Sequence, residues 1–213
     1  MNKFERAEFE IKEFDETAHY GKFEITPLER GFGLTMGNAL RRVLLSSLPG
    51  AAVFAIKIEG VYHEFTSIAG VGEDVTGIVL NVKDLILNIS DDEVYTLRIS
   101  QKGPKVVTAA DIECPTNVEI LNKDQIIATL SEGAVLEMEL KARRGRGYVS
   151  SEENKDLYQS SSQEIGTIYT DSIYTPIERV KYHVEPTRVG QDSNYDHLTM
   201  EIWTNGSIEP QVA

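Results

Sequence analysis

Gly31-Phe32-Gly33 and Gly37 stand between strand-like alternation and the strongest helical segment of the chain, where a glycine-rich phosphate loop would sit. Such a loop works because bare backbone at a helix N-terminus can close its N–H groups around an anion. The spacing does not fit a dinucleotide fingerprint. Leu34, Thr35 and Met36 separate the last two glycines where the fingerprint has two residues, and no βαβ unit follows. The other reading is a tight turn into a helix, with Gly37 a point of close packing. His19, His63, His183 and His197 have no metal-ligand spacing, and His63-Glu64 lacks the second histidine of a zinc-protease motif. His183 alternates with Tyr182 and Val184, as a solvent-facing strand residue would. The sequence has no nucleophile elbow. The carboxylates are many, but no pair is marked as catalytic. No cofactor, metal or catalytic residue is expected.

One basic cluster stands out, Lys141, Arg143, Arg144 and Arg146 ahead of Gly147-Tyr148. It reads either as a contact to phosphates or an acidic partner surface, or as a solvated strand end at a glycine-rich turn. The chain around it is acidic. Lys plus Arg number 21 against 34 Asp plus Glu, a formal charge of −13. Nucleic-acid binders draw most of their affinity from neutralising phosphates, so direct DNA binding by this chain is not expected, nor is attachment to an anionic membrane. The 41% hydrophobic and 26% charged residues are those of a globular chain. No apolar run approaches the roughly 18 residues of a membrane span. Cys114 is the one cysteine and can form neither an internal disulfide nor a zinc site. With no signal peptide evident after Met1, a cytoplasmic location is expected. The sequons at Asn88 and Asn205 would then go unused.

The elements that must position these residues follow from periodicity. Phe9 and Ile11, then Phe23 and Ile25, alternate with charged residues and predict a hairpin whose second strand ends at Pro27. A helix is expected over about 34–48, stopped by Pro49-Gly50. Met36, Ala39, Leu40, Val43 and Leu44 share one broad face. Leu45 and Leu48 lie outside its centre, and Arg41 and Arg42 are close by. A helix apolar on two sides is buried on two sides: one for its own sheet, the other for a further domain or chain. A weaker helix is expected over 73–83. Short strands are expected at 85–89, 94–99 and 106–109, and alternation from Leu136 to Ala142 marks the clearest half-buried strand. Ser150–Gln163 reads as a mobile surface loop. Val180–Val184 and Leu198–Ile202 form a second hairpin. Near the end, Ser207 is expected to cap a helix with Pro210 in its first turn.

The order of these elements points to an α+β fold. An antiparallel-sheet-plus-helix domain built from both chain ends (1–50 and 177–213) would carry an inserted, mostly β domain (51–176).

Leu28-Glu29-Arg30-Gly31-Phe32-Gly33 and Gly37-Asn38-Ala39-Leu40-Arg41-Arg42-Val43-Leu44-Leu45-Ser46-Ser47-Leu48-Pro49-Gly50 closely resemble the N-terminal domain of bacterial RNA polymerase alpha subunits. The likeness continues at Val61-Tyr62-His63-Glu64-Phe65, Leu80-Asn81-Val82-Lys83, Val107–Ile112, Arg144–Val149, Tyr174–Val180 and Thr204–Pro210, essentially the whole chain. The resemblance implies a homodimer, formed by the domain of the chain ends, on which the β and then the β′ subunit assemble. It implies no catalytic residues in this chain, since nucleotidyl transfer belongs to β and β′. It places a β contact at Arg42 and Leu45, a β′ contact at Lys83, and the dimer contact at Phe32, Leu40, Leu44 and Leu48. Relatives continue through a further dimerisation helix, a linker and a small DNA-binding domain, so the chain reads as a truncated N-terminal domain whose dimer is weakened. An unrelated homodimeric scaffold and a nucleotide-binding enzyme are the competing readings.

Overall fold

The computed structural model describes residues 6–158 and 165–213. The first elements are β1 (Glu8–Asp15), β2 (Tyr20–Glu29), α1 (Phe32–Ser46), β3 (Pro49–Ile58), α2 (Val75–Lys83), β4 (Leu87–Ile89), β5 (Tyr95–Lys102) and β6 (Lys105–Thr108). There follow β7 (Val118–Ile120), β8 (Ile126–Leu130), β9 (Val135–Arg146), β10 (Tyr148–Val149), α3 (Ser151–Tyr158), β11 (Thr167–Tyr169), β12 (Ser172–Ile173), β13 (Ile177–Val189) and β14 (Asp192–Thr204). The fold is mixed α+β. The chain divides into two compact units, residues 1–48 with 175–213, and residues 49–174. No helix among the described residues is long and apolar enough to cross a membrane.

The first unit joins the chain ends in one antiparallel sheet of order β1-β2-β14-β13. Strand alternation sends Phe23, Leu198, Met200, Ile202 and Val180 to one face, where they are buried under α1. Phe9 lies opposite Ile25 and Ile11 opposite Phe23, so β1 extends this apolar face. A register shift between Ile11 and Glu13 then returns Phe14 to the same side, opposite Gly21. β2 does not end at Pro27 as its sequence suggests. It runs to Glu29, and the pairing with β14 shifts register between Leu198 and Asp196 beside Pro27, the irregular position that a residue without an N–H can occupy.

The helix begins two residues earlier than its periodicity suggests, and a different stripe faces the sheet. Gly33, Gly37 and Leu44 are its buried residues, whereas Leu40 and Val43 are exposed. At 3.6 residues per turn the two glycines and Leu44 line up. A Cβ on Gly33 would stand 2.7 Å from Val184 Cγ1, and one on Gly37 would stand 2.6 Å from Tyr182 Cδ2. The bare backbone therefore sits directly on β13. Leu45 and Leu48 pack against this core, and the Leu45 carbonyl accepts from Thr175 Oγ1 at 3.3 Å. The opposite face of the sheet is polar and aromatic. Tyr20 and Trp203 have ring centroids 5.0 Å apart, and the Arg179 guanidinium lies 3.7 Å above the Trp203 ring.

The second unit has a six-stranded sheet of path β5-β9-β3-β4-β7, with β11 pairing β3. Its core takes Val53, Ile56 and Ile58 from β3, Leu97 and Ile99 from β5, and Leu136, Met138 and Leu140 from β9. Asp74 caps α2 by accepting from Gly77 N at 2.7 Å, and Val75, Ile78 and Val82 bury its inner face. The segment read as a mobile loop contains α3. Ser150 Oγ accepts from Glu153 N, and the Ser-x-x-Glu spacing there is a helix-start pattern. Asn154 is fully buried, donating to Thr170 O and Ser172 Oγ. Residues 159–163 of that expected loop lie outside the described residues. At the chain end Ser207 is no cap, because its hydroxyl turns back to Asn205 Oδ1. A single turn closes instead on the Glu209 carbonyl, which accepts from Val212 N and Ala213 N, with Pro210 directly after it.

Two outcomes follow. Gly37→Val places a branched side chain against the Tyr182 ring and is expected to destabilise the first unit by about 2–3 kcal/mol, read by thermal and urea melts beside Asn38→Ala. Burial and the bond to Glu201 at 3.0 Å raise the Tyr20 phenol to about 12, above its usual 10.0. A folded-state value above the unfolded one stabilises the fold below pH 10 and withdraws that stability as pH climbs toward 12. Wild type should therefore lose stability more steeply across that window than Tyr20→Phe, in melts run as a pH series.

Candidate subunit interface

The helix start that resembles a phosphate loop is already filled. Gly31 takes φ +88°, a left-handed turn suited to glycine. Asp196 Oδ2 from β14 accepts from Gly31 N at 2.8 Å and Gly33 N at 3.2 Å. A carboxylate of the chain itself thus supplies the negative charge and the acceptor that a helix N-terminus favours. This overturns the nucleotide-loop reading and explains the glycines as turn and packing residues.

Because the glycine stripe spends the inner face of α1, much of its apolar surface turns outward. Phe32 is 56% exposed, Leu34 60%, Val43 52% and Leu40 36%. On the same sheet face, β1 leaves Phe9 62% exposed, with Ile11 and Phe14 also open. Exposed apolar side chains gathered on one helix in this way are the mark of an interaction site. Of the residues expected at a dimer contact, Phe32 and Leu40 lie on this surface. Leu44 is buried in the unit's own core and Leu48 is partly buried against it. Arg42 is exposed on α1, its backbone carbonyl accepting from Ser46 Oγ at 2.7 Å, while Leu45 is half-buried.

In the second unit, Lys83 ends α2, where a cation complements the helix dipole. Its ammonium donates to both Asp171 oxygens, at 2.8 and 2.7 Å. A partner approaching Lys83 therefore meets a lysine–aspartate pair, not a lone cation. Asp171 carried no signal in the sequence, because 88 residues separate it from Lys83.

The basic cluster is not one surface. Arg143 donates from Nε to the Tyr174 hydroxyl at 3.0 Å. Its guanidinium lies 4.9 Å from the Tyr158 centroid, 5.4 Å from Tyr174 and 6.0 Å from Phe54. Neither phosphate contact nor a solvated strand end describes it: Arg143 is a packing residue held among aromatic faces. Tyr174 in turn lies flat on Gly145, where a Cβ would meet its ring at 2.9 Å. Three aromatic rings and a guanidinium from segments far apart in the sequence make this cluster.

The Lys83–Asp171 pair is partly exposed, with side chains at 25% and 33%. A double-mutant cycle of Lys83→Ala and Asp171→Ala is expected to give a coupling of about 0.5–1 kcal/mol, diminishing in high salt, as measured by urea unfolding.

Residues 56–175 match the model of the RNA polymerase Rpb3/RpoA insert domain family. That span covers more than half of the 213 residues and nearly the whole of the second unit. It holds the Lys83–Asp171 pair, Arg143 with Tyr158 and Tyr174, and most of the sheet that carries them. The chain belongs to the Rpb3/RpoA insert-domain family of RNA polymerase subunits.

Proposed function

We propose that the chain is the N-terminal domain of a bacterial RNA polymerase alpha subunit, a non-catalytic platform that pairs with a second copy and receives the β and β′ subunits. The observation that carries this reading is the outward apolar face of α1. A helix already seated on its own sheet still presents Phe32, Leu34, Leu40 and Val43 to solvent, as an assembly subunit would. Family membership and the motif blocks around α1 support the same reading.

In this proposal Phe32 and Leu40 meet the second copy, with Leu44 and Leu48 bracing them from beneath. A two-fold dimer offers two copies of every patch. Arg42 and Leu45 take the β subunit on one copy, and the Lys83 region takes β′ on the other. An arginine suits a partly desolvated contact because its planar fork pairs with a carboxylate or with carbonyls. The enzyme activity belongs to the assembled polymerase, with the bond-making chemistry in the large subunits.

Two measurements test the reading. Arg42→Ala is expected to keep its melting temperature while losing about 2–4 kcal/mol of β binding, seen in co-purification of the two chains. A drop in melting temperature would make Arg42 structural. Phe32→Glu combined with Leu40→Glu should give a folded monomer in sedimentation runs across a concentration series. A variant that stays dimeric would move the contact elsewhere on the unit.

A further inference from the structure

β13 forms one edge of the four-stranded sheet, and among the described residues no strand pairs with its outer side. Edge strands are usually blunted by bulges, prolines or charge. Here those devices sit toward the ends: register shifts fall between Ile177 and Arg179 and between Thr187 and Val189, and Pro186 is near the second. Between them Val180–Glu185 pairs with Ile202–His197 in unbroken register. A groove of about 730 Å³ runs along this stretch, walled by Leu34 and Arg41 of α1.

The groove has two rows. Strand alternation puts Arg179, Lys181 and His183 on one side and Val180, Tyr182 and Val184 on the other. His183 is taken up by Glu185 at 3.1 Å. Arg179 and Lys181 rest on the Trp203 ring, at 3.7 and 5.4 Å from its centroid. Among the described residues, neither has a carboxylate within salt-bridge distance. In a chain of net charge −13, these two cations beside an unpaired edge are a local reversal of sign.

We infer that the β13 edge receives an extended acidic segment of a partner polypeptide, which pairs with Val180–Glu185 as an added strand. Backbone pairing supplies the affinity in such augmentation, and alternate side chains supply the selectivity. Carboxylates at every second position face Arg179 and Lys181. Apolar residues between them continue the Val180–Tyr182–Val184 row beneath Leu34. The inference holds independently of where the large subunits dock on α1.

The probe is a capped peptide of about seven residues alternating Glu and Val, titrated into the full chain. Trp203, the sole tryptophan, reports the approach of carboxylates to its two cations. A saturable emission change is expected, together with slowed amide exchange in Val180–Glu185 alone. Lys181→Glu should weaken binding about tenfold, as should salt raised to about 0.5 M. Lys22→Glu, the same charge change on β2, should leave binding unaltered, and circular dichroism verifies both variants as folded. A Lys–Val peptide of equal length should not bind. The inference is overturned by absent binding, by equal effects of the two charge reversals, or by an emission change without exchange protection on β13. It is also overturned if this edge instead pairs two copies of the chain, seen as self-association that Lys181→Glu abolishes in sedimentation.

Discussion

Gly33 and Gly37 let the backbone of α1 rest on Val184 and Tyr182 of β13, closer than any side chain would allow. That contact ties residues near the start of the chain to a strand near its end. Asp196 reinforces it from β14 by satisfying the Gly31 and Gly33 N–H groups. The helix is thereby held by its smallest residues. Phe32, Leu34, Leu40 and Val43 are left over, and the outward surface of the unit follows from that allocation.

The same constraint shapes the rest of the sheet. Because α1 covers the β13 side, Phe9, Ile11 and Phe14 on the far strand stay open on the same face. The register shift in β1 keeps all three aligned there, where strict alternation would have sent Phe14 to the polar side. The other face spends its aromatics differently, with Tyr20 and Trp203 packed beneath Arg179 and Glu201 holding the Tyr20 hydroxyl. One face is shaped for apolar contact and the other for charge, and β13 borders both.

The inserted unit does its positioning with polar pins between distant segments. Lys83 fastens α2 to the β11–β12 segment through Asp171, and Asn154 fastens α3 to Thr170 and Ser172. Arg143 fills the space between Phe54, Tyr158 and Tyr174. All three converge on the stretch 170–174, which folds back against strands formed more than a hundred residues earlier, as the bond from Ser172 Oγ to Val53 O shows. Such pins join parts of the inserted unit that lie far apart in the sequence.

What the sequence determined by itself is most of the longer elements and the pairing of the outer strands into two hairpins, because side-chain periodicity reports which residues must leave water. The α+β class, the helix after Gly31 and the strand through Leu136–Ala142 were all legible in this way, as was the resemblance to an RNA polymerase subunit family. The allocation of apolar residues was not. Of Met36, Ala39, Leu40, Val43 and Leu44, the more hydrophobic face of α1, only Leu44 is buried; the sheet took the stripe of Gly33, Gly37 and Leu44, because close backbone packing on Tyr182 and Val184 outweighs the number of apolar side chains. Ser150–Glu153 carried a helix start that low hydrophobicity concealed, and α3 exists because Asn154 finds its partners some 16 to 18 residues on. The partners of Lys83, Arg143 and the Gly31 amide also lie far along the chain. Only tertiary structure decided them, since hydrogen bonds and ring contacts depend on distances of a few ångströms that a one-dimensional pattern does not record.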